Sequence, residues 1–318
     1  MMLITGCSGF IGYHLCNFLL KKNISVIGID NLNSYYDKKL KTSRLKNLTY
    51  YKNFKFINRD LTKFNDLYKV LKKYKLKIIV HLAAQPGVRY SFNEPNKTLY
   101  NNLNSFNNII EIAKLKKIKK FIYASSSSVY GQVKKFPFSE NDLSIKPISI
   151  YGSSKLSNEI VADAYSKNFN LNCFGLRFFT VYGPYGRPDM AYYNFSLRNL
   201  KNQKIELYNK AKMLRDFTYI DDVILAIIKI INKNNLPKGH HIFNVGKGRP
   251  DKLIDLVKIL QKNLKNKFNI NYKNFIPKGD IEKTYSNNYK IKKLLKWNPT
   301  ISLNEGLKNF FEWFKKNH

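Results

Sequence analysis

Cysteine is scarce in this sequence, with three residues in 318. They are Cys7, Cys16 and Cys173, an odd number without the spacing of a metal site. This pattern argues against a disulfide framework and predicts no bound metal. We expect three reduced, buried side chains.

Long apolar runs are also missing. The most apolar stretch, residues 223–231, is interrupted by Lys229 and is too short to span a bilayer. The first residues lead straight into a glycine turn and show no secretory signal. These absences predict a cytoplasmic protein with no membrane partner.

Acidic residues are few: 21 Asp and Glu stand against 56 Lys and Arg, which gives a formal net charge of +35. Such a charge is compatible with nucleic-acid binding. The basic residues are mostly Lys, however, and they are scattered among abundant Asn, Ile, Tyr and Phe, which is typical of compositional drift. Because no nucleic-acid-binding module is visible, we predict no nucleic-acid partner. The charge would still favour an anionic small substrate.

Short apolar runs alternate with amphipathic stretches over the first half of the chain. The runs predict strands at 3–5, 25–29, 54–57, 78–82, 120–124 and 171–178. The stretches predict helices at 10–22, 66–74, 101–114 and 151–169. This alternation predicts an α/β fold with a Rossmann-type doubly wound parallel sheet. After about residue 179, Pro and Gly separate shorter elements, including helices at 221–232, 251–264 and 303–315, which predicts a smaller mixed α/β C-terminal domain.

A glycine-rich turn at residues 6–12 follows the first predicted strand and opens the first helix. Gly6 permits the tight turn, Gly9 lets backbone amides approach a pyrophosphate, and Gly12 lets the helix pack against the strand. Asp30 ends the second predicted strand, where its carboxylate can bond ribose hydroxyls and repel a 2′-phosphate. The pattern therefore predicts NAD as the cofactor, in preference to NADP.

Tyr151 and Lys155 are four residues apart on a predicted helix, so their side chains share one face. A nearby ammonium stabilises a phenolate, which lets a tyrosine act as a base near neutral pH. A row of four serines, residues 125–128, lies at the end of the fifth predicted strand, where ligands bind in doubly wound sheets. We expect one of these serines to hydrogen-bond the reacting oxygen and at least one to be an ordinary loop residue.

These motifs resemble those of the extended short-chain dehydrogenase/reductase family. The matching segments are residues 5–12, 81–84, 126–131 and 151–155. Within that family the chain most resembles UDP-glucuronate 4-epimerases, on the more specific segments 30–37, 85–91, 176–184, 186–191 and 215–222. The likeness extends from residue 3 to about residue 314.

The resemblance implies a role for each matching residue. NAD would contact Gly6, Gly9, Phe10, Ile11, Gly12, Asp30, Asn31, Asp60, Leu61, Ala83, Gln85, Asn101, Tyr151 and Lys155. Tyr151 would be the catalytic base, Lys155 would tune it, and Ser126 would be its hydroxyl partner. The UDP-sugar would contact Arg89; Ser127, Ser128 and Thr180 at the sugar carboxylate; and Arg187, Arg215 and Asp280 at the UDP part.

The resemblance also implies a domain division and an oligomer. Residues 1–178, together with 217–243, would form the NAD-binding domain, and residues 179–216 and 244–318 would bind the nucleotide sugar. A homodimer would form through the helices predicted at 101–114 and 151–169.

The implied activity is interconversion of UDP-glucuronic and UDP-galacturonic acids by oxidation and re-reduction at C4. A 4,6-dehydratase usually carries Asp-Glu where this chain has Ser127 and Ser128, and a decarboxylase typically has a Glu in this loop. A UDP-glucose 4-epimerase, or another nucleotide-sugar epimerase, remains the alternative, since it shares every catalytic group. A non-catalytic NAD-binding protein is a further alternative, which the intact Tyr151 and Lys155 disfavour.

Overall fold

Seven parallel strands form the central sheet of the computed structural model, which describes residues 1–318. The thirteen strands of the chain are β1 Met2–Thr5, β2 Val26–Asp30, β3 Phe54–Asn58, β4 Ile78–His81, β5 Lys120–Ser126, β6 Cys173–Phe178, β7 Thr180–Tyr182, β8 Ile205–Leu207, β9 Leu214–Arg215, β10 Phe217–Tyr219, β11 His240–Val245, β12 Asp251–Lys252 and β13 Ile270–Tyr272. The sheet order is β11-β6-β5-β4-β1-β2-β3. The order reverses between β1 and β4, and such a switch point opens a crevice at the carboxyl ends of the strands.

Helices cover both faces of this sheet. They are α1 Phe10–Lys21, α2 Lys38–Thr49, α3 Phe64–Leu71, α4 Val88–Asn93, α5 Pro95–Leu115, α6 Ile150–Phe169, α7 Ala191–Leu200, α8 Ile220–Asn232, α9 Leu253–Leu264, α10 Tyr289–Leu295 and α11 Leu303–Asn317, with single 3₁₀ turns at Ser127–Tyr130 and Tyr208–Ala211. One core of 20 buried residues packs α3, α5 and α6 onto one face. A core of 49 buried residues joins α1 and α8 to the C-terminal elements on the other. None of the helices combines the length and apolarity needed to cross a membrane.

The C-terminal elements are short strands, paired as β7 with β10, β9 with β12 and β8 with β13. The buried carboxylate of Asp216 links their loops. It accepts hydrogen bonds from the backbone of Lys247, Gly248 and Ser286 at 2.5, 2.9 and 3.0 Å. A buried carboxylate with several donors holds loops that have little regular structure of their own.

The predicted fold class is confirmed, and so is the burial of the three unpaired cysteines. Four helices were not predicted, namely α2, α4, α7 and α10. Helix α2 shows why: its buried positions are Lys41, Arg44 and Leu48, so it has no apolar stripe to reveal it. The domain boundaries stay a prediction; β11 pairs with β6 and continues past residue 243 to Val245.

Candidate active site

The carboxyl ends of the central strands meet at one cleft of about 780 Å³. All the side chains and glycines that the sequence analysis selected line this cleft: Gly6, Gly9, Phe10, Ile11, Gly12, Asp30, Asn31, Asp60, Leu61, Ala83, Gln85, Arg89, Asn101, Ser126, Ser127, Ser128, Tyr151, Lys155, Thr180, Arg187, Arg215 and Asp280. Their individual roles remain predictions. Their convergence follows from the parallel sheet, which brings the loops after successive strands to one edge.

The glycine turn forms a cradle that side chains would fill. A Cβ on Gly6 would lie 2.8 Å from the Ala83 amide nitrogen, and one on Gly12 would lie 2.0 Å from the Gly6 carbonyl oxygen. Helix α1 starts behind the turn with Gly9 as its N-cap and no side chain bonded to its first N–H groups. Free N–H groups at a helix N-terminus suit a phosphate, so this turn fits a dinucleotide.

Asp30 lies beside this turn at the end of β2. Its carboxylate accepts hydrogen bonds from the backbone N–H groups of Ser8 at 3.1 Å and Leu32 at 2.9 Å. Two bonds leave lone pairs on the carboxylate that can accept from ribose hydroxyls. The residue thus fits the adenosine ribose of NAD, the position that the sequence predicted.

Tyr151 and Lys155 lie in the first turns of α6. The helix begins at Ser149, whose Oγ accepts the Gly152 N–H at 3.0 Å. Lys155 is 2% exposed, and its Nζ donates to the Ala124 carbonyl at 2.9 Å. Burial lowers the pKa of Lys155 to about 8, so its ammonium is only moderately stable above neutral pH.

Burial raises the pKa of Tyr151 above its ordinary value. The positive charge of Arg187 and the polar Ser126 side chain act in the opposite direction without outweighing burial. Lys155 was expected to stabilise the phenolate, and Arg187 was expected at the UDP part; both roles stay predictions. In the structure the charge of Arg187 lowers the pKa of Tyr151, and the Lys155 Nζ lies 5.9 Å from the Tyr151 ring centroid.

The four serines divide into two groups. Ser125 Oγ donates to Glu159 Oε1 at 2.5 Å, and Glu159 forms a buried ion pair with Arg177 at 2.7 Å. Ser126 Oγ accepts the Ser128 N–H at 3.1 Å, which starts the 3₁₀ turn over Ser127–Tyr130. Ser125 therefore has a structural role through its bond to Glu159, whereas the other three serines belong to a turn at the wall of the cleft.

Two groups of paired charges also line the cleft. Asp280 accepts from Arg215 at 3.0 Å and from Arg89 at 3.4 Å. Asp189 accepts from Arg187 Nε at 3.0 Å and Nη2 at 2.5 Å. Three arginines share two carboxylates here, which leaves a positive field suited to an anionic ligand.

Sequence reasoning missed residues that hold these groups in place. Arg44 is fully buried and donates to the carbonyl oxygens of Ser8, Tyr185 and Gly186 at 2.9, 2.6 and 2.9 Å. It thereby joins the cofactor turn to the loop that carries Arg187. Asp189 lies in the matching segment 186–191, but its partner Tyr35 is 154 positions away and no local signal identifies that contact.

The comparisons with known proteins agree with this geometry. The model of the NAD dependent epimerase/dehydratase family matches residues 2–246. An uncharacterized protein of Methanocaldococcus jannaschii is 45% identical over 99% of this chain and 96% of its own length.

Solved structures are similar over the whole chain. UDP-glucuronic acid 4-epimerase from Bacillus cereus, in complex with UDP-glucuronic acid and NAD, has a TM-score of 0.91 at 34% identity, with 100% of this chain and 99% of that chain covered. UDP-glucose 4-epimerase from Thermotoga maritima, with UDP-glucose, has a TM-score of 0.90 at 30% identity, with 99% of each chain covered.

Proposed function

Because this chain belongs to the NAD-dependent epimerase/dehydratase family, and is a nucleotide-sugar 4-epimerase of that family, we propose that it interconverts UDP-glucuronic acid and UDP-galacturonic acid. The observation that carries this choice is the wall of hydroxyls formed by Ser127, Ser128 and Thr180. The three also line a smaller chamber of about 150 Å³ that adjoins the cleft. Hydroxyl donors suit the C6 carboxylate of a uronic acid, and the one carboxylate that also lines the chamber, Asp280, is paired with Arg215.

NAD is the cofactor, and when bound it accepts a hydride from the sugar and returns it. Tyr151 Oη takes the proton of the C4 hydroxyl and gives it back after the sugar has turned its other face to the base. Ser126 Oγ shares the C4 oxygen, in keeping with its influence on the pKa of Tyr151. Lys155 and Arg187 supply the positive charge that favours the phenolate.

Once C4 is oxidised, the sugar is a β-keto acid, and such acids lose carbon dioxide readily. The enzyme must therefore restrain the C6 carboxylate of this intermediate. Decarboxylation requires the bond between C5 and the carboxylate carbon to align with the π system of the C4 carbonyl. We assign Ser127, Ser128 and Thr180 to hold the carboxylate away from that alignment. Small hydroxyls can do this without adding an acid that would protonate the product.

The UDP part belongs at the Arg215 end of the cleft in this proposal. Arg215 and Arg89 both donate to Asp280, so the carboxylate keeps two guanidinium groups in place for a diphosphate. Arg89 also lies over the ring of Tyr208, 5.1 Å from its centroid, which restricts its side chain further.

Interconversion of UDP-glucose and UDP-galactose is the second candidate, supported by the similarity to the Thermotoga maritima enzyme. Both reactions use the same catalytic groups, and the two enzymes differ in the protein groups that contact the substituent at C6 of the sugar. A hydroxymethyl group needs no set of donors, whereas a carboxylate does. The hydroxyl wall is therefore our reason to prefer the uronic acid.

The test is proton NMR of the purified protein with UDP-glucuronic acid and catalytic NAD. We expect UDP-galacturonic acid to accumulate to a constant ratio without net NADH. Tyr151→Phe should lower the rate at least about 10³-fold, since it removes the general base. A protein that leaves the uronic acid untouched and epimerises UDP-glucose would overturn the choice of substrate but not the catalytic assignment.

The hydroxyl wall has its own test. Ser127→Ala with Thr180→Val should release carbon dioxide and form a UDP-pentose during turnover, because the carboxylate is no longer held. Ser144→Ala, which alters a serine bonded only within its own surface turn, is the matched control. A double variant that epimerises cleanly would show that the wall does not restrain the carboxylate.

We also propose a homodimer through α5 and α6. These helices pack against each other, and Tyr100 and Ile160 remain 52% and 64% exposed on them. Apolar side chains exposed on two neighbouring helices offer a surface that a second copy of the chain would cover. Light scattering of Ile160→Glu should show a monomer if this surface forms the dimer, and an unchanged mass would exclude it.

A further inference from the structure

Tyr35 joins the two walls of the cleft. It lies in the loop that follows β2 on the cofactor side, and its hydroxyl donates to Asp189 Oδ2 at 3.1 Å on the substrate side. The two residues are 154 positions apart in the sequence. Tyr35, Asp189 and Arg187 all line the cleft together with Tyr151.

Asp189 connects this tyrosine to an arginine. One carboxylate receives Arg187 Nε on Oδ1 and Arg187 Nη2 on Oδ2, the oxygen that also receives the Tyr35 hydroxyl. Burial raises the pKa of Asp189, but the charge of Arg187 and the bonds from Arg187 and Tyr35 outweigh it and hold the pKa below its ordinary value. The carboxylate is thus ionised and has one fixed orientation.

Tyr35 is itself held on two sides. Its ring meets the Tyr90 ring edge-to-face, with centroids 5.1 Å apart and planes at 85°. Gly87 lies so close that a Cβ there would be 2.4 Å from the Tyr35 hydroxyl oxygen. A side chain that is packed at its ring and confined at its hydroxyl end loses little further freedom when it binds Asp189. The position of the Tyr35 hydroxyl is therefore well defined.

We propose that Tyr35 is a positioning residue that orients Arg187 toward the sugar end of the cleft through Asp189. An arginine has a long stem with many rotamers, and a bidentate carboxylate fixes it only if the carboxylate is itself fixed. Tyr35 supplies that second constraint from the opposite wall. The inference rests on the proposed function, in which Arg187 acts beside Tyr151.

The first test is Tyr35→Phe, which removes the hydroxyl and keeps the ring packed against Tyr90. We expect kcat to fall about threefold to tenfold with a smaller change in KM, because a loosened Arg187 supports Tyr151 less well. Tyr50→Phe, which alters an exposed tyrosine, is the matched control. A Tyr35→Phe variant with unchanged kcat would overturn the proposal.

The pH dependence of kcat distinguishes a positioning role of Tyr35 from a purely structural one. The charged and polar groups that face Tyr151 are Arg187, Lys155 and Ser126. Weaker support from Arg187 should move the acid limb of kcat upward by about half a pH unit in Tyr35→Phe. A lower rate with an unmoved acid limb would mean that Tyr35 only supports the fold.

A double-mutant cycle tests the route through Arg187. In an Arg187→Gln background, Tyr35→Phe should cost less than twofold, since its target is gone. An equal cost in both backgrounds would overturn the proposal. Asp189→Asn provides a second variant, expected to reproduce the Tyr35→Phe phenotype.

Two further measurements keep this test apart from the proposed substrate. Binding of UDP-glucuronic acid to Tyr151→Phe, with and without Tyr35→Phe, is followed by calorimetry and needs no turnover. The cycle itself is run on whichever UDP-sugar the wild type epimerises. Failure with the uronic acid but not with UDP-glucose overturns the proposed function alone, whereas additive losses on the active substrate overturn the role of Tyr35 alone.

Discussion

The two ends of the cleft are built from different materials. The cofactor end is formed mainly by the main chain. Gly6 and Gly12 allow backbone segments to approach where no Cβ fits, and Asp30 adds one carboxylate. At the substrate end long charged side chains meet in pairs, Arg187 with Asp189 and Arg215 with Asp280. Helix α6, which carries Tyr151 and Lys155, serves both ends.

This difference teaches where each end is vulnerable. A single added side-chain atom in the glycine turn should abolish NAD binding and also destabilise the fold, because the strand, the turn and the helix are packed too closely to move apart. A side-chain site loses affinity in steps, since each arginine keeps part of the anionic ligand when another is removed. Substitutions at the two ends should therefore differ both in size and in whether they reach the fold.

The largest effect is expected at the cradle. Gly12→Ala places a Cβ 2.0 Å from the Gly6 carbonyl oxygen, so we expect loss of NAD binding and a decrease of about 4 kcal/mol or more in the free energy of unfolding. Gly239→Ala is the control: φ is +104° and nothing lies within 4 Å of the added atom, so only backbone strain of about 1–2 kcal/mol is expected. Calorimetry with NAD and urea unfolding measure both quantities. Equal losses for the two variants would contradict the importance of the close approach.

A substrate-end substitution should leave the cofactor untouched. Arg215→Gln removes one of the two guanidinium groups on Asp280, and we expect KM for the UDP-sugar to rise roughly 30-fold with NAD affinity unchanged. Lys212→Gln, an exposed charge nearby in the sequence, is the control. Steady-state kinetics together with NAD titration check the separation. A parallel loss of NAD affinity would show that the two ends are coupled.

Asp30→Asn tests the one side chain that matters most at the cofactor end. The amide keeps one acceptor but loses the charge, so NAD affinity should fall about tenfold and the preference for NAD over NADP should narrow. Asp66→Asn, an exposed acid in the first turn of α3, is the control. Fluorescence titration with both dinucleotides measures the ratio. An unaltered preference would exclude Asp30 as its source.

The smallest effect concerns a buried histidine below the cofactor turn. Burial and the charge of Lys155 lower the pKa of His81 from 6.5 to about 3. Because the unfolded chain binds the proton first, stability falls as pH drops below 6.5, by about 1 kcal/mol at pH 5.5 from this residue. Urea unfolding at pH 7.5 and 5.5 measures the loss, which His81→Asn should reduce. The same pH dependence in His81→Asn would assign the loss elsewhere.

Much of the fold was predictable because its signals are local. Apolar runs and amphipathic stretches revealed the six strands β1 to β6, and the first glycine turn lay between β1 and α1 as expected. Helix α2 was missed because its buried face is charged, with Arg44 bonded to remote carbonyl groups. β11 was missed because its sequence, His-His-Ile-Phe-Asn-Val, has neither a continuous apolar run nor a regular alternation.

The sequence by itself determined the sheet, the dinucleotide turn and the shared face of Tyr151 and Lys155, since each depends on residues within a few positions of one another. Only the tertiary structure decided that Ser125 turns to Glu159, that Arg187 lies close enough to Tyr151 for its charge to lower the pKa of the phenol, and that Tyr35 reaches Asp189. These contacts join segments far apart in the chain. Their geometry depends on how the loops pack at the sheet edge, and no local spacing encodes it.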